Sequence, residues 1–346
     1  MKTIATLLSC MTLVAAEPAK RPSAEEMKAL ALKMAVDVTS TKDGTPQKVV
    51  YYQPETAAKN LAGPAVPLLV FLHSWSGSIE QAPSLVGLAK HRGWVMIAPA
   101  FRGINNHPEA CASDLASQDI VDAVEYAKSH ARIDTDRIYL VGGSGGGHMS
   151  LVMAARAPDL WAGVSAWVPI SDLTAWHAES TARKNNYAKM IEQCCGGKPG
   201  PTTEAEYRHR SSLFHLAVAK GVPLDINTGI HDGHTGSVPV SHSLLAFNVL
   251  AAPDKQVSVA DIDFMVREQK IPAALATETQ TDPERQKATL FRRSSGNARV
   301  TVFEGGHDSE PSAALEWLSR QRKGQPADWS LGQKPGKAGA ASEVSK

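Results

Sequence analysis

The 346-residue chain is 43% hydrophobic and 21% charged, which is enough apolar content to bury a sizeable core and excludes a disordered or fibrous protein. Its 36 lysines and arginines nearly cancel its 35 aspartates and glutamates, leaving a formal charge of +1 with no basic block, so the electrostatic footprint of a nucleic-acid binder is missing. No apolar run reaches the roughly 20 residues of a membrane-spanning helix, and no membrane span is expected.

In chain order, Met1 and Lys2 give a short positive start, residues 4–14 are apolar apart from Thr, Ser and Cys, and Val14-Ala15-Ala16 offers the small residues a signal peptidase accepts. Residues 1–16 therefore read as a signal peptide, and the protein as secreted or periplasmic. A lipoprotein box ending at Cys10 fits less well, because cleavage there leaves an apolar region shorter than about seven residues. Residues 17–46 form a polar arm with one helical patch at 25–34.

From 47 to 322, short apolar runs alternate with helical patterns. Strands are expected at 48–52, 67–72, 94–98, 137–141, 163–168, 222–226 and 299–303, and helices at 120–131 and after Gly145, Val240 and Ser312. This alternation predicts a mostly parallel sheet with helices on both faces. Two stretches break it: residues 172–216, read as a lid, and 252–297, a charged helical insertion. The tail at 323–346 is rich in Gly, Ala, Lys and Ser and is expected to be disordered.

Gly142-Gly143-Ser144-Gly145-Gly146 satisfies G-x-S-x-G directly after an apolar strand and before a helical run. Such a turn exposes a serine hydroxyl in a strained backbone, and its glycines remove the Cβ atoms that would clash there. The hydroxyl needs a base, and the base an orienting carboxylate. His307 follows the strand at 299–303, and Asp232 follows the strand at 222–226, the end where open α/β sheets place their sites. Asp225 lies inside that strand and points elsewhere. The oxyanion hole is assigned to the backbone N–H of Gly145 and of Trp75, the latter in the loop His73-Ser74-Trp75-Ser76-Gly77. His231, His234 and His242 lack metal-site spacing, so neither a metal nor another cofactor is expected.

These motifs, together with Phe101-Arg102-Gly103, Asp119, Asp134-Thr135-Asp136-Arg137, Ala157-Pro158-Asp159 and Val238-Pro239, resemble the α/β-hydrolases of the prolyl oligopeptidase type over residues 49–322. The resemblance implies an α/β-hydrolase fold and a Ser144–Asp232–His307 triad acting through an acyl-enzyme. Two features depart from it: His73-Ser74-Trp75 stands where the family has His-Gly-Gly, and residues 233–237 lengthen the spacing between acid and Val-Pro. Residues 17–66 are too few for a gating propeller, whose blades need about 40 to 50 residues each.

The favoured expectation is a secreted hydrolase of carboxylic esters, including acyl or uronate esters of polysaccharides, and the alternative is a small exported serine peptidase. Trp176, Arg292 and Arg293 are the candidates for holding sugar or uronate groups. Cys111, Cys194 and Cys195 remain beyond the leader, and a bridge from Cys111 to one of the vicinal pair is expected to anchor the lid.

Overall fold

Strands covered on both faces read as nearly continuous apolar runs, and the centre of this sheet is built that way. The computed structural model describes residues 22–331. Within them are β1 (Ala35–Thr39), β2 (Pro46–Tyr52), β3 (Val66–Leu72), β4 (Val95–Pro99), β5 (Ile133–Gly143), β6 (Gly163–Trp167), β7 (Leu224–Gly229), β8 (Thr289–Ser295) and β9 (Ala298–Phe303). They form one sheet in the order β1-β2-β4-β3-β5-β6-β7-β9-β8. Strands β4, β3, β5, β6, β7 and β9 run parallel, while β1–β2, β2–β4 and β8–β9 pair antiparallel at the two sides.

The two-residue period of the strands divides the core into two layers. Leu68, Val70, Leu140 and Val164 face the helices Asp114–His130, Gly145–Arg156 and Val240–Leu250. Leu69, Met96, Tyr139 and Trp167 face the helices Pro83–His91 and Pro311–Ser319. A third, smaller cluster of Leu173, Trp176, Ile191 and Tyr207 lies beneath the lid, whose helices are Leu173–Ala182, Tyr187–Cys195 and Glu204–Arg210.

The sheet reaches further than the sequence reading allows at both edges. Part of the expected arm is a capped helix, Ala24–Met34, leading into β1, and the insertion ends in β8. Both strands carry charge, Asp37 in one and Arg292-Arg293 in the other, so they lack the apolar run that marks the central strands. Residues 323–331 are also ordered rather than a loose tail: Trp329 stacks on Trp317 with ring centroids 5.3 Å apart. The expected signal peptide at 1–16 and the remainder of the expected tail, 332–346, lie outside the described residues.

Candidate active site

Ser144 sits where β5 passes directly into the helix Gly145–Arg156, with φ 57° and ψ −120°. A non-glycine residue holds that conformation only when its surroundings enforce it. Here the Ser144 N–H donates to the Trp167 carbonyl at 2.9 Å, and the Ser144 carbonyl accepts from the His148 N–H at 2.8 Å. A Cβ on Gly145 would overlap the Trp75 backbone, so this glycine lets the two backbone segments touch. That contact brings the Gly145 and Trp75 amides to one corner beside Ser144, and neither donates to an acceptor among the described residues.

The Trp75 loop is held by a residue that the sequence reading missed. Gln81 accepts the Ser74 N–H at 2.8 Å and donates to Ser74 Oγ at 2.8 Å. The Trp75 carbonyl accepts from the Asn105 N–H, and His73 stacks on Phe101 with centroids 3.9 Å apart. The Trp75 indole is buried against Trp176, centroids 4.7 Å apart.

His307 leaves the end of β9, and its Nδ1–H donates to Asp232 Oδ2 at 2.7 Å. The other Asp232 oxygen accepts the N–H groups of Gly233 (2.8 Å) and Val238 (3.0 Å). The carboxylate is fully buried while the His307 side chain is 24% exposed, so only the histidine of this pair can meet a substrate. The lengthened segment at 233–237 wraps this pair: a Cβ on Gly236 would overlap both Asp232 Oδ1 and the His307 Cβ. The insertion also reaches the histidine loop, where Lys287 pairs with Asp308 at 2.9 Å and Glu310 accepts the N–H groups of Gln286 and Lys287. No motif marks the amide donors or Lys287. The unusual length of 233–237, read from the sequence only as a departure from the family's spacing, is the one signal that bears on the wrap.

Ser144 and His307 line a common cavity of about 570 Å³ whose walls are largely apolar, with Met27, Phe71, Leu85, Trp167 and Val168 among them. The residues assigned to sugar or uronate binding are elsewhere. Trp176 is buried in the lid cluster and donates to the Ser237 carbonyl at 2.8 Å. Arg292 is buried against Asp282 at 2.8 Å, and Arg293 pairs with Glu278. All three serve packing or charge neutralisation, which a sequence does not reveal because the partners are distant along the chain.

The structure does not show the expected disulfide, although Cys111 meets Cys194. Cys111, Cys194 and Cys195 are buried free thiols, with Cys111 hydrogen-bonded to Cys194. Burial pushes the Cys111 thiol well above its ordinary range and Cys195 up to about 12. The lid is instead tied down by Arg210, whose guanidinium donates to the carbonyls of Pro108, Ala110 and Cys111 at 2.9, 2.8 and 3.1 Å. His231, His234 and His242 have separate partners, in Glu304, the Val266 carbonyl and Glu179 respectively.

The sheet order, with a serine at the elbow after β5, a carboxylate after β7 and a histidine after β9, defines an α/β-hydrolase fold. The model of the prolyl oligopeptidase family matches residues 87–266, more than half of the chain, and the chain belongs to that family. An uncharacterized peptidase of Bacillus subtilis strain 168, YtmA, is 27% identical over 157 residues, covering 44% of this chain and 57% of its own length. The acylaminoacyl peptidase of Pyrococcus horikoshii superposes with a TM-score of 0.56 at 17% identity, covering 89% of this chain and 45% of that one. A puromycin-hydrolyzing peptidase of Mycobacterium tuberculosis gives 0.52 at 16% identity, covering 82% and 37%. This chain thus spans about half the length of the relatives it matches. No helix among the described residues is long and apolar enough to cross a membrane.

Proposed function

We propose that the chain is a serine peptidase acting on small substrates through a covalent acyl-enzyme. Ser144 Oγ attacks the scissile carbonyl, His307 takes its proton and returns it to the leaving amine, and Asp232 holds the ring tautomer and stabilises the imidazolium. The Gly145 and Trp75 amides receive the oxyanion. Water then attacks the acyl carbonyl and gives a proton to His307, which passes it to Ser144 Oγ as the acyl–Oγ bond breaks and the acid leaves. The observation that carries this reading is the convergence of a strained Ser144 and an Asp232-bound His307 on one cavity.

Membership of a peptidase family favours amide bonds over esters. The polysaccharide-ester expectation loses its support because Trp176, Arg292 and Arg293 are committed elsewhere. Ester cleavage remains within reach of the same chemistry, since an ester presents an easier carbonyl to the same nucleophile. Export to the periplasm or medium is proposed from residues 1–16 alone.

The test is fluorophosphonate labelling combined with turnover of p-nitroanilides and p-nitrophenyl acetate. The expected result is label on Ser144 and loss of both label and turnover in Ser144→Ala. A folded Ser144→Ala variant with unchanged turnover would overturn the mechanism, and turnover of the ester alone would overturn the peptidase assignment.

A further inference from the structure

Glu80 is a charged side chain of the Ser144 cavity that the proposed mechanism leaves unused. It sits in the short helical turn Ile79–Gln81, half-buried, with Oε1 accepting the Ser78 N–H at 2.8 Å. No ion pair neutralises it among the described residues. His73 feels the charge of Glu80, but burial holds its ring toward the neutral form. The other acid on the cavity wall, Asp308, is already bound to Lys287. Among the described residues no lysine or arginine lines the cavity, and Met27, Phe71, Leu85 and Trp167 make its surroundings apolar.

A cavity so composed disfavours carboxylates and phosphates and leaves one carboxylate to be neutralised by whatever enters. Its volume, about 570 Å³, suits a small molecule rather than an extended chain. We infer that Glu80 receives the free ammonium group of the substrate, and that the enzyme acts on apolar aminoacyl groups whose α-amine is unblocked. The inference rests on the reading of Ser144 as nucleophile. The apolar walls take the side chain, while the carboxylate fixes the amine and so sets the scissile carbonyl against Ser144. Blocking the amine with an acetyl group removes the charge and adds bulk at the point where Glu80 waits.

The experiment compares kcat/KM for the methyl ester and p-nitroanilide of phenylalanine with those of their N-acetyl counterparts, in wild type, Glu80→Gln and Glu80→Asp. Glutamine keeps a carbonyl oxygen for the Ser78 N–H and removes only the charge. Wild type should prefer the unblocked substrates by about ten- to a hundredfold, the range of a charge-assisted contact, chiefly through KM. That ratio should fall toward one in Glu80→Gln and be partly kept in Glu80→Asp. Equal ratios in wild type and Glu80→Gln, or a wild-type preference for the N-acetyl compounds, would overturn the assignment. Fluorophosphonate labelling of the same preparations separates the two readings: labelled protein without amine preference defeats the role of Glu80 alone, and unlabelled protein defeats the serine mechanism beneath it.

Discussion

Strand β7 has a buried aspartate at each end, and the two are held in opposite ways. Near its start, Asp225 is 1% exposed, accepts from Arg299 Nε at 2.7 Å, lies 3.8 Å from Arg285 and accepts from the Asn227 side chain at 2.8 Å. Burial alone would raise its carboxyl, but the two guanidinium groups hold it below the ordinary carboxylate range. Just past the other end, Asp232 is 2% exposed and among the described residues has only two backbone amides and His307 as partners. A charge matched by fixed arginines is locked into the fold, whereas one matched by dipoles and an imidazole can respond when that ring gains a proton. The two regions still meet: Arg285 lies over the Trp167 ring at 4.9 Å, and the Trp167 carbonyl accepts the Ser144 N–H.

The largest expected effect breaks the responsive end. Asp232→Asn keeps the shape but offers the ring an amide, so turnover should fall by about 10⁴-fold, the scale known for such a tautomer error. The denaturation midpoint should move little, because no cation is left unpaired. Steady-state kinetics beside urea unfolding checks both halves. A large loss of stability with modest loss of turnover would make Asp232 a structural acid like Asp225.

Breaking the locked end should invert that pattern. Asp225→Ala leaves Arg299 buried without its carboxylate and takes one of three carboxylates from Arg285, and removal of one partner from such a site costs about 3–5 kcal/mol. Urea unfolding should show the loss, and activity per folded molecule should stay near wild type. A wild-type midpoint would mean that the Asp282 and Glu310 carboxylates, 3.4 and 3.8 Å from Arg285, suffice without Asp225.

How much of this contrast is legible in the sequence follows from what each end requires. Acyl transfer demands a serine at a tight elbow and an acid and base after later strands, so Ser144, Asp232 and His307 announce themselves by order and by the apolar runs before them. The positions of Gly145 and Trp75 follow from the same topology. Gln81, the Val238 amide and Lys287 do not, because a backbone donor has no residue signature and a clamp depends on loops meeting in space. Arg292 and Arg293 mislead for a related reason: sequence shows their charge but hides Asp282 and Glu278. β1 and β8 escape notice because edge strands need only one covered face and tolerate charge.

A smaller effect separates the regions by pH. His148, one turn into the helix after Ser144, donates from Nδ1 to the Ile170 carbonyl at 3.0 Å and has no partner at Nε2 among the described residues. Burial lowers its pKa from 6.5 to about 4. Between those values the unfolded chain binds a proton that the folded chain refuses, so stability is full above pH 6.5 and falls as pH drops toward 4. The loss from this group is roughly 3 kcal/mol at most, and His73, also shifted downward by burial, adds in the same direction. Urea midpoints across this window should fall in wild type and fall less in His148→Gln. Equal slopes would show that His148 takes up its proton while folded.

The smallest expected effect tests how far the locked region extends. Trp329 lies in the segment expected to be loose, yet its Nε1–H donates to the Gly296 carbonyl at 3.1 Å and Arg299 lies 4.6 Å over its ring. Arg299 therefore has the Asp225 carboxylate and an indole face as two separate partners. Trp329→Ala removes a half-buried aromatic and one cation–π contact, and should cost about 1–2 kcal/mol without changing turnover. Because both partners act on one guanidinium, Trp329→Ala and Asp225→Ala should not add: with Asp225 gone, Arg299 is free to shift, and the indole then loses part of its contribution. A double-mutant cycle by urea unfolding should give a coupling of at least about 0.5 kcal/mol. Strict additivity would place Trp329 outside the network, as a surface staple on Trp317 that leaves the Asp225 end of β7 unaffected.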